Sequence, residues 1–276
     1  MKNSARYIAF AAILASSFLT VLNTSMIRVA SPDLQEALGL NYSNLSWIFN
    51  SYQIIYAILL PVFGQIGDKF GRHRCLIAGL TVFGIGSLLS GFSWDFRSLV
   101  AFRIVQAIGS AGIFPNAVVT ATELFAPEHR GKVMGIWGMS VSMGSVLGPS
   151  IGGIIVQYLG WNYVFFANVP FAILSGIAIL LLVQSDARKP SSFHFDYSGT
   201  IILAMMIISF IVGLQTGSQL GWGSLPVMIM LTTSAVCLPL LKRIEANCHE
   251  PVIQLKLFKN PVFLSGVYCG GSHLVA

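Results

Sequence analysis

The sequence predicts an all-α, polytopic membrane protein, and three observations carry that expectation. Residues of the set AVILMFWYC make up 55% of the 276 residues, charged residues make up only 9%, and the few charges are separated by long apolar gaps. Soluble domains carry roughly 25% charge, so most of this chain has nothing to present to water, and its mean hydropathy is +0.75. That balance excludes disorder, a coiled coil and a nucleic-acid partner despite an isoelectric point near 9.3. The basic excess is instead read as membrane topology.

One spanning helix needs about 20 residues, and the gaps deliver them in order. Arg6 to Arg28 encloses 21 uncharged positions, Glu36 to Asp68 encloses 31, Arg74 to Asp95 encloses 20 and Arg103 to Glu123 encloses 19. These are spans one to four. Lys132 to Asp186 leaves 53 positions and Asp196 to Lys242 leaves 45, each about two spans long. Turn residues divide them: Gly160, Trp161 and Asn162 in the first, Gly217, Gly221 and Gly223 in the second. Eight full spans result, and a ninth is expected to begin near Pro261. The expected organisation is a six-span bundle over 1–184, a cytoplasmic loop over 185–196 and two further spans over 197–243. A second cytoplasmic loop over 244–260 and the start of a truncated ninth span over 261–276 follow. A secretory signal peptide is the competing reading of the first segment; no small-residue cleavage site follows it, and seven more apolar segments do.

Orientation follows from the bases. With the N-terminus in the cytoplasm, 13 of the 16 lysines and arginines lie on that side, and Arg97 alone lies in an outer loop. The expected location is therefore the cytoplasmic membrane, multi-pass, with a cytoplasmic N-terminus. Cys75, Cys237, Cys248 and Cys269 form no CxxC pair and none falls in an outer loop, and the histidines form no HExxH-type pattern, so neither a metal site nor a disulfide framework is indicated; no cofactor is expected. His73, His129, His194 and His249 are placed in cytoplasmic loops. No carboxylate falls at mid-depth, which argues against an intramembrane hydrolase or any other enzyme.

An intramembrane charge is a functional candidate by default, and Arg103 is the one such charge. It either snorkels to the outer surface or faces inward as a cation beside a water-filled cavity. Span two carries a stripe of Trp47, Asn50, Gln53, Tyr56 and Ala57 at helical spacing, which serves as helix-helix glue or lines a cavity. Asn23 and Gln106 join Asn50, Gln53 and Tyr56 as candidate lining residues. In span five, Gly144, Gly148 and Gly152 recur every fourth residue and invite a close helix neighbour, while Pro149 removes a backbone hydrogen bond and predicts a bend.

Gly64-Gln65-Ile66-Gly67-Asp68-Lys69-Phe70-Gly71-Arg72-His73-Arg74, between two apolar spans, resembles the signature of the major facilitator superfamily. Arg103-Ile104-Val105-Gln106-Ala107-Ile108-Gly109 resembles its span-four motif. Gly144-Ser145-Val146-Leu147-Gly148-Pro149-Ser150-Ile151-Gly152-Gly153 is similar to its antiporter motif, and Trp161 to Pro170 resembles the entry to span six. Two extra spans followed by Glu250-Pro251-Val252 and Leu255-Lys256-Leu257-Phe258 are similar to the fourteen-span drug:proton antiporter branch, the EmrB/QacA type, of which this is the N-terminal part only.

The resemblance implies proton-driven efflux of drugs or other amphiphilic small molecules, by two bundles rocking about a central site. Gly64, Asp68, Gly71, Arg72 and Arg74 would form the gating loop and Arg103 would serve proton coupling. Gly144, Gly148, Pro149, Gly152 and Gly153 would shape the exporter bend. The implied partners are a small-molecule substrate, protons, the lipid bilayer and the missing C-terminal bundle. Span one departs from the pattern: Asn23 stands where the branch has an aspartate, and Arg28 where it has a neutral amide. Those departures keep two other readings open, a truncated non-transporting membrane fragment and a proton-independent facilitator of another small solute. With no acid at depth, neutral or anionic amphiphiles are favoured over cations.

Overall fold

The computed structural model describes residues 3–183 and 196–247. Within them the chain is helical and without strands, as the composition predicts. The helices α1 (Asn3–Val29), α2 (Ser31–Ala37), α3 (Tyr42–Phe70), α4 (Arg72–Gly91), α5 (Phe96–Glu123), α6 (Arg130–Leu159), α7 (Asn162–Phe166) and α8 (Asn168–Leu182) belong to one compact unit. The helices α9 (Tyr197–Leu220) and α10 (Leu225–Asn247) belong to a second. Counting α7 with α8 as one, 8 helical stretches among the described residues are long and apolar enough to cross a membrane. A lipid-spanning backbone must satisfy its own polar groups, which is why such long apolar runs fold as helices.

Local chemistry sets the ends. Asn41 Oδ1 accepts the Asn44 amide at 2.8 Å and starts α3. Asp95 Oδ1 accepts the Ser98 amide at 2.8 Å, and Ser98 Oγ accepts the Asp95 amide at 3.2 Å, closing a capping box on α5. Those Ser98 hydrogen bonds hold the Asp95 carboxyl below its ordinary range. Between α3 and α4 the only non-helical residue is Gly71, at φ +101°, a conformation that side chains rarely adopt. The expected loop from 64 to 74 is thus not a loop. Helix α3 runs on to Phe70 and α4 begins at Arg72, because charged residues at a span end reach water without leaving the helix. Helix α6 likewise runs through Pro149 without interruption.

Two apolar clusters hold the first unit together. One gathers Ile13, Leu76, Leu80, Phe83, Ile113, Ala117, Val133 and Ile179 from five helices near the end that carries Gly71. The other gathers Met26, Ile27, Leu34, Ile48, Leu99, Val164 and Phe165 toward the opposite end. Outward faces are apolar too, with Val146, Phe171, Leu174 and Leu181 all exposed, as a surface that meets acyl chains requires. A groove of about 390 Å³ between α4 and α8 is walled by residues such as Ile77, Leu80, Ile85, Ala172 and Ile177, with Thr81 its only polar side chain.

The second unit is a helical pair. Leu203 of α9 and Leu241 of α10 form its buried apolar cluster, and Ser234 Oγ donates to the Met206 carbonyl at 3.2 Å. Asp196 caps α9 by accepting the Gly199 amide at 2.8 Å. Helix α10 runs on to Asn247, past the start of the loop expected over 244–260. The rest of that loop, residues 185–195 of the other, the expected ninth span and the Glu250 motif lie outside the described residues.

Candidate functional site

Between the two apolar clusters lies a band of buried polar side chains. Asn23 and Gln106 are fully buried, as are Ser87 and Ser110, and Arg103 and Asn168 are each 1% exposed. They come from α1, α4, α5 and α8. Arg103 donates to Gln106 Oε1, one turn on along α5. Gln106 Nε2 in turn donates to Asn23 Oδ1 at 3.1 Å and to Ser87 Oγ at 2.7 Å. Asn168 Nδ2 donates to the same Asn23 Oδ1 at 2.8 Å and to the Val164 carbonyl at 3.1 Å. The Arg103 guanidinium lies over the Tyr52 ring at 4.0 Å, and the Tyr52 hydroxyl donates to Ser110 Oγ at 2.6 Å.

This geometry decides between the two readings of Arg103. Snorkelling requires the head group to reach water, and the side chain is instead enclosed by Tyr52, Gln106 and the neighbouring helices. It faces inward. Asn23 and Gln106, expected as cavity-lining residues, are both buried within the band. Of the span-two candidates, Gln53 is exposed, and Asn50 and Tyr56 are half-buried. Tyr56 belongs to an aromatic chain: it stacks on Tyr52 (centroids 6.1 Å apart) and meets Phe114 edge-on at 6.3 Å, and Phe114 meets Trp137 at 5.0 Å. Half-buried Tyr56, Phe114 and Trp137 give this aromatic wall, built by α3, α5 and α6, its open side.

Three glycines of α6, Gly144, Gly148 and Gly152, face α1. A Cβ at Gly144 would lie 3.0 Å from the Phe18 carbonyl, at Gly148 2.3 Å from Ser25 Cβ, and at Gly152 2.9 Å from Met26 Cα. These two helices therefore touch backbone to backbone. Gly153 and exposed Pro149 lie off that line, with a Gly153 Cβ 3.9 Å from Val29 Cγ1.

At the Gly71 end, Arg72 forms an ion pair with Asp68 one turn earlier, and its Nε lies 4.0 Å from Glu123 Oε1 of α5. Arg74 is exposed and Gly64 sits loosely against Pro115. So the structure brings Asp68, Gly71 and Arg72 together and leaves Arg74 outside. His73 is not in a loop: α4 buries it, and its Nε2 lies 3.2 Å from the Ile179 carbonyl of α8.

Sequence reasoning missed Asn168, Ser87, Tyr52 and Asn116. Asn168 lies within the Trp161 to Pro170 motif with nothing to single it out, and its partner is 145 positions away. Asn116 donates to the Phe63 carbonyl at 3.2 Å and to the Gly112 carbonyl at 2.9 Å, pinning α5 to α3 beside Gly67. Among the described residues no group of three or more His, Cys, Asp and Glu side chains could hold a metal ion.

Spanning helices around a buried polar band define a multi-pass helical membrane protein with a charge held at its centre. The chain belongs to the Major Facilitator Superfamily, whose family profile matches residues 13–268. It is similar to "Multidrug resistance protein 3" of Bacillus subtilis, 29% identical over 252 residues that make up 91% of this chain and 49% of that protein. It is also similar to the "Tetracenomycin C resistance and export protein" of Streptomyces glaucescens, 29% identical over 92% of this chain and 47% of that one. The chain thus spans about half the length of these relatives. In fold it matches a solved bacterial homolog of the human lysosomal transporter Spinster, in an inward-facing and unoccupied conformation. That match has TM-score 0.61 and 16% identity, and covers 86% of this chain and 60% of that one.

Proposed function

We propose that the chain is the N-terminal part of a drug exporter of the fourteen-span branch, working with a second six-span bundle in the cytoplasmic membrane, its N-terminus in the cytoplasm. The observation that carries this reading is the central band: a buried cation, Arg103, flanked by the partly open aromatic wall of Tyr56, Phe114 and Trp137. A wall of that kind suits flat amphiphiles, gripping them by area and ring edges with few directional bonds. The names of the relatives, multidrug resistance and antibiotic export, support the same class. The α1·α6 glycine contact and the Asp68–Arg72–Glu123 cluster supply a rigid pair and an end-on latch for rocking.

Proton drive is part of the proposal, and Arg103 is its candidate residue. Asn23 favours a second reading, because an amide cannot titrate: a facilitator that moves solute without protons. Everted vesicles holding the whole gene product separate the two. Accumulation of a fluorescent amphiphile that collapses with the pH gradient, and is lost in Arg103→Ala, supports the exporter. Uncoupler-insensitive movement supports the facilitator, and no movement under an imposed gradient overturns both.

A further inference from the structure

Helix α4 carries a stripe that neither the polar band nor the Asp68–Arg72–Glu123 cluster uses. Arg74, Ile77, Thr81, Gly84 and Leu88 recur at intervals of three and four residues, which puts them on one helix face. From Ile77 to Leu88 this stripe walls the groove of about 390 Å³ that α4 forms with α8. Arg74 is its next member, one turn beyond the groove at the Gly71 end.

The groove is hollow because its walls lack side chains where they would meet. A Cβ on Gly84 would lie 3.6 Å from that of Ala172, and a Cβ on Gly176 would meet nothing within 4 Å. The Thr81 hydroxyl already donates to the Ile77 carbonyl at 3.0 Å. Water needs several polar partners and finds none of its own here, so hydrocarbon fills the space. The dimensions fit a chain better than a helix. Ile77 to Leu88 is about 16 Å along α4, close to the roughly 15 Å of one leaflet and about half of what a spanning helix covers. Spread over that length the groove has a mean cross-section of about 24 Å², much narrower than the about 10–12 Å breadth of a helix with its side chains.

The mouth of the groove adds a charge. Arg74 is exposed, and among the described residues no acid pairs with it, whereas Arg72 is held by Asp68 and Glu123. A long stem lets its guanidinium reach the interface, and the planar fork matches a phosphate. The turn from Arg74 to Ile77, about 4 Å along the axis, leaves room for glycerol between phosphate and chain. We propose that the α4·α8 groove holds one acyl chain of an anionic phospholipid whose phosphate pairs with Arg74. The site lies wholly within the first unit and is independent of what the chain transports.

The test is native mass spectrometry of the purified protein, released from detergent micelles after titration with phosphatidylglycerol or with phosphatidylcholine of the same acyl chains. The expected result is one tightly held lipid per chain, with phosphatidylglycerol bound about fivefold more tightly, the effect of a single arginine beside an anionic head group. Arg74→Gln, a change at an exposed position, should bring phosphatidylglycerol down to the phosphatidylcholine level. Gly176→Phe sets a ring into the open space and should remove the tight adduct of both lipids. Thr81→Phe blocks the groove from the facing wall, so the result does not depend on one variant folding. Equal binding of the two lipids by the wild type, a preference that survives Arg74→Gln, or wild-type binding by a folded groove-filling variant each overturns the proposal. A dimer that Gly176→Phe breaks assigns the groove to a second copy of the chain and overturns it as well.

Discussion

Replacing Gly148 by alanine should loosen the whole bundle. The new Cβ would lie 2.3 Å from Ser25 Cβ and 3.3 Å from the Leu22 carbonyl, about 1.1 Å short of ordinary contact in the first case. Neither neighbour is the free end of a flexible side chain. Ser25 Cβ is fixed to the α1 backbone, so relief requires α1 and α6 to move apart along a seam that Gly144 and Gly152 also hold close. Overpacking of this kind costs about 1–3 kcal/mol. Alanine returns about 1 kcal/mol through its helix propensity, leaving a net loss of up to about 2 kcal/mol. For a protein of this size that lowers the unfolding midpoint by up to about 8 °C. The same helix supplies the control. Gly153→Ala places its Cβ 3.9 Å from Val29 Cγ1, in ordinary contact, and should hold or raise the midpoint. The assay is thermal unfolding of both variants in the same detergent. A Gly148→Ala midpoint at or above that of Gly153→Ala would refute the reading of α6 as a backbone-contact helix.

Two further outcomes follow from contacts near the span ends. A Cβ at Gly67 would overlap Asn116 Oδ1, at 1.7 Å. Gly67→Ala should therefore break the Asn116 bonds to Phe63 and Gly112, costing about 1–3 kcal/mol. Adding Asn116→Ala should cost less than the sum of the singles, with a coupling of about 1 kcal/mol in a double-mutant cycle; strict additivity would remove the contact. At Asp95, the Ser98 hydrogen bonds lower the folded pKa. The ionised cap therefore stabilises the bundle above the ordinary carboxylate pKa, and that contribution is lost as pH falls through the lowered value. Asp95→Asn, which caps without titrating, should flatten the decline of the unfolding midpoint below about pH 4; an unchanged acid limb would refute it.

The spans were legible because the bilayer leaves few choices. A backbone in hydrocarbon must be helical, so the spacing of charges marks out α1, α3, α4 and α5, and turn residues divide the two longer gaps into α6, α7 with α8, α9 and α10. The glycine seam was equally legible, since a four-residue period fixes a helix face, although not the partner: nothing in the sequence names α1 as the helix that Gly148 meets. The charges that located the spans also misled at their ends. Asp68 and Arg72 were read as loop residues when they are the last and first turns of two helices joined at Gly71. The polar band was the hardest part. Asn23, Ser87, Gln106 and Asn168 are scattered over four spans, and each alone is an unremarkable polar residue among apolar ones. Only folding shows that hydrogen bonds link all four beside Arg103.

That chain of hydrogen bonds has a direction. Arg103 is the only charged member of the band, and its charge sets which way Gln106 points; Gln106 sets Asn23, and Asn23 sets Asn168. The chain of amides thus runs from α5 through α1 to α8, and each link is a donor meeting an oxygen. A negative group arriving beside Arg103 weakens the demand on Gln106 Oε1, freeing that amide to turn. A turned Gln106 would present an oxygen to Asn23 Oδ1, and Asn23 would have to turn with it, breaking the bond that holds Asn168. Helices α1, α5 and α8 are therefore coupled through charge as well as through packing. Asn23 does not interrupt this coupling. It removes only the titration at one link, so whatever alters the charge next to Arg103 acts on the same three helices.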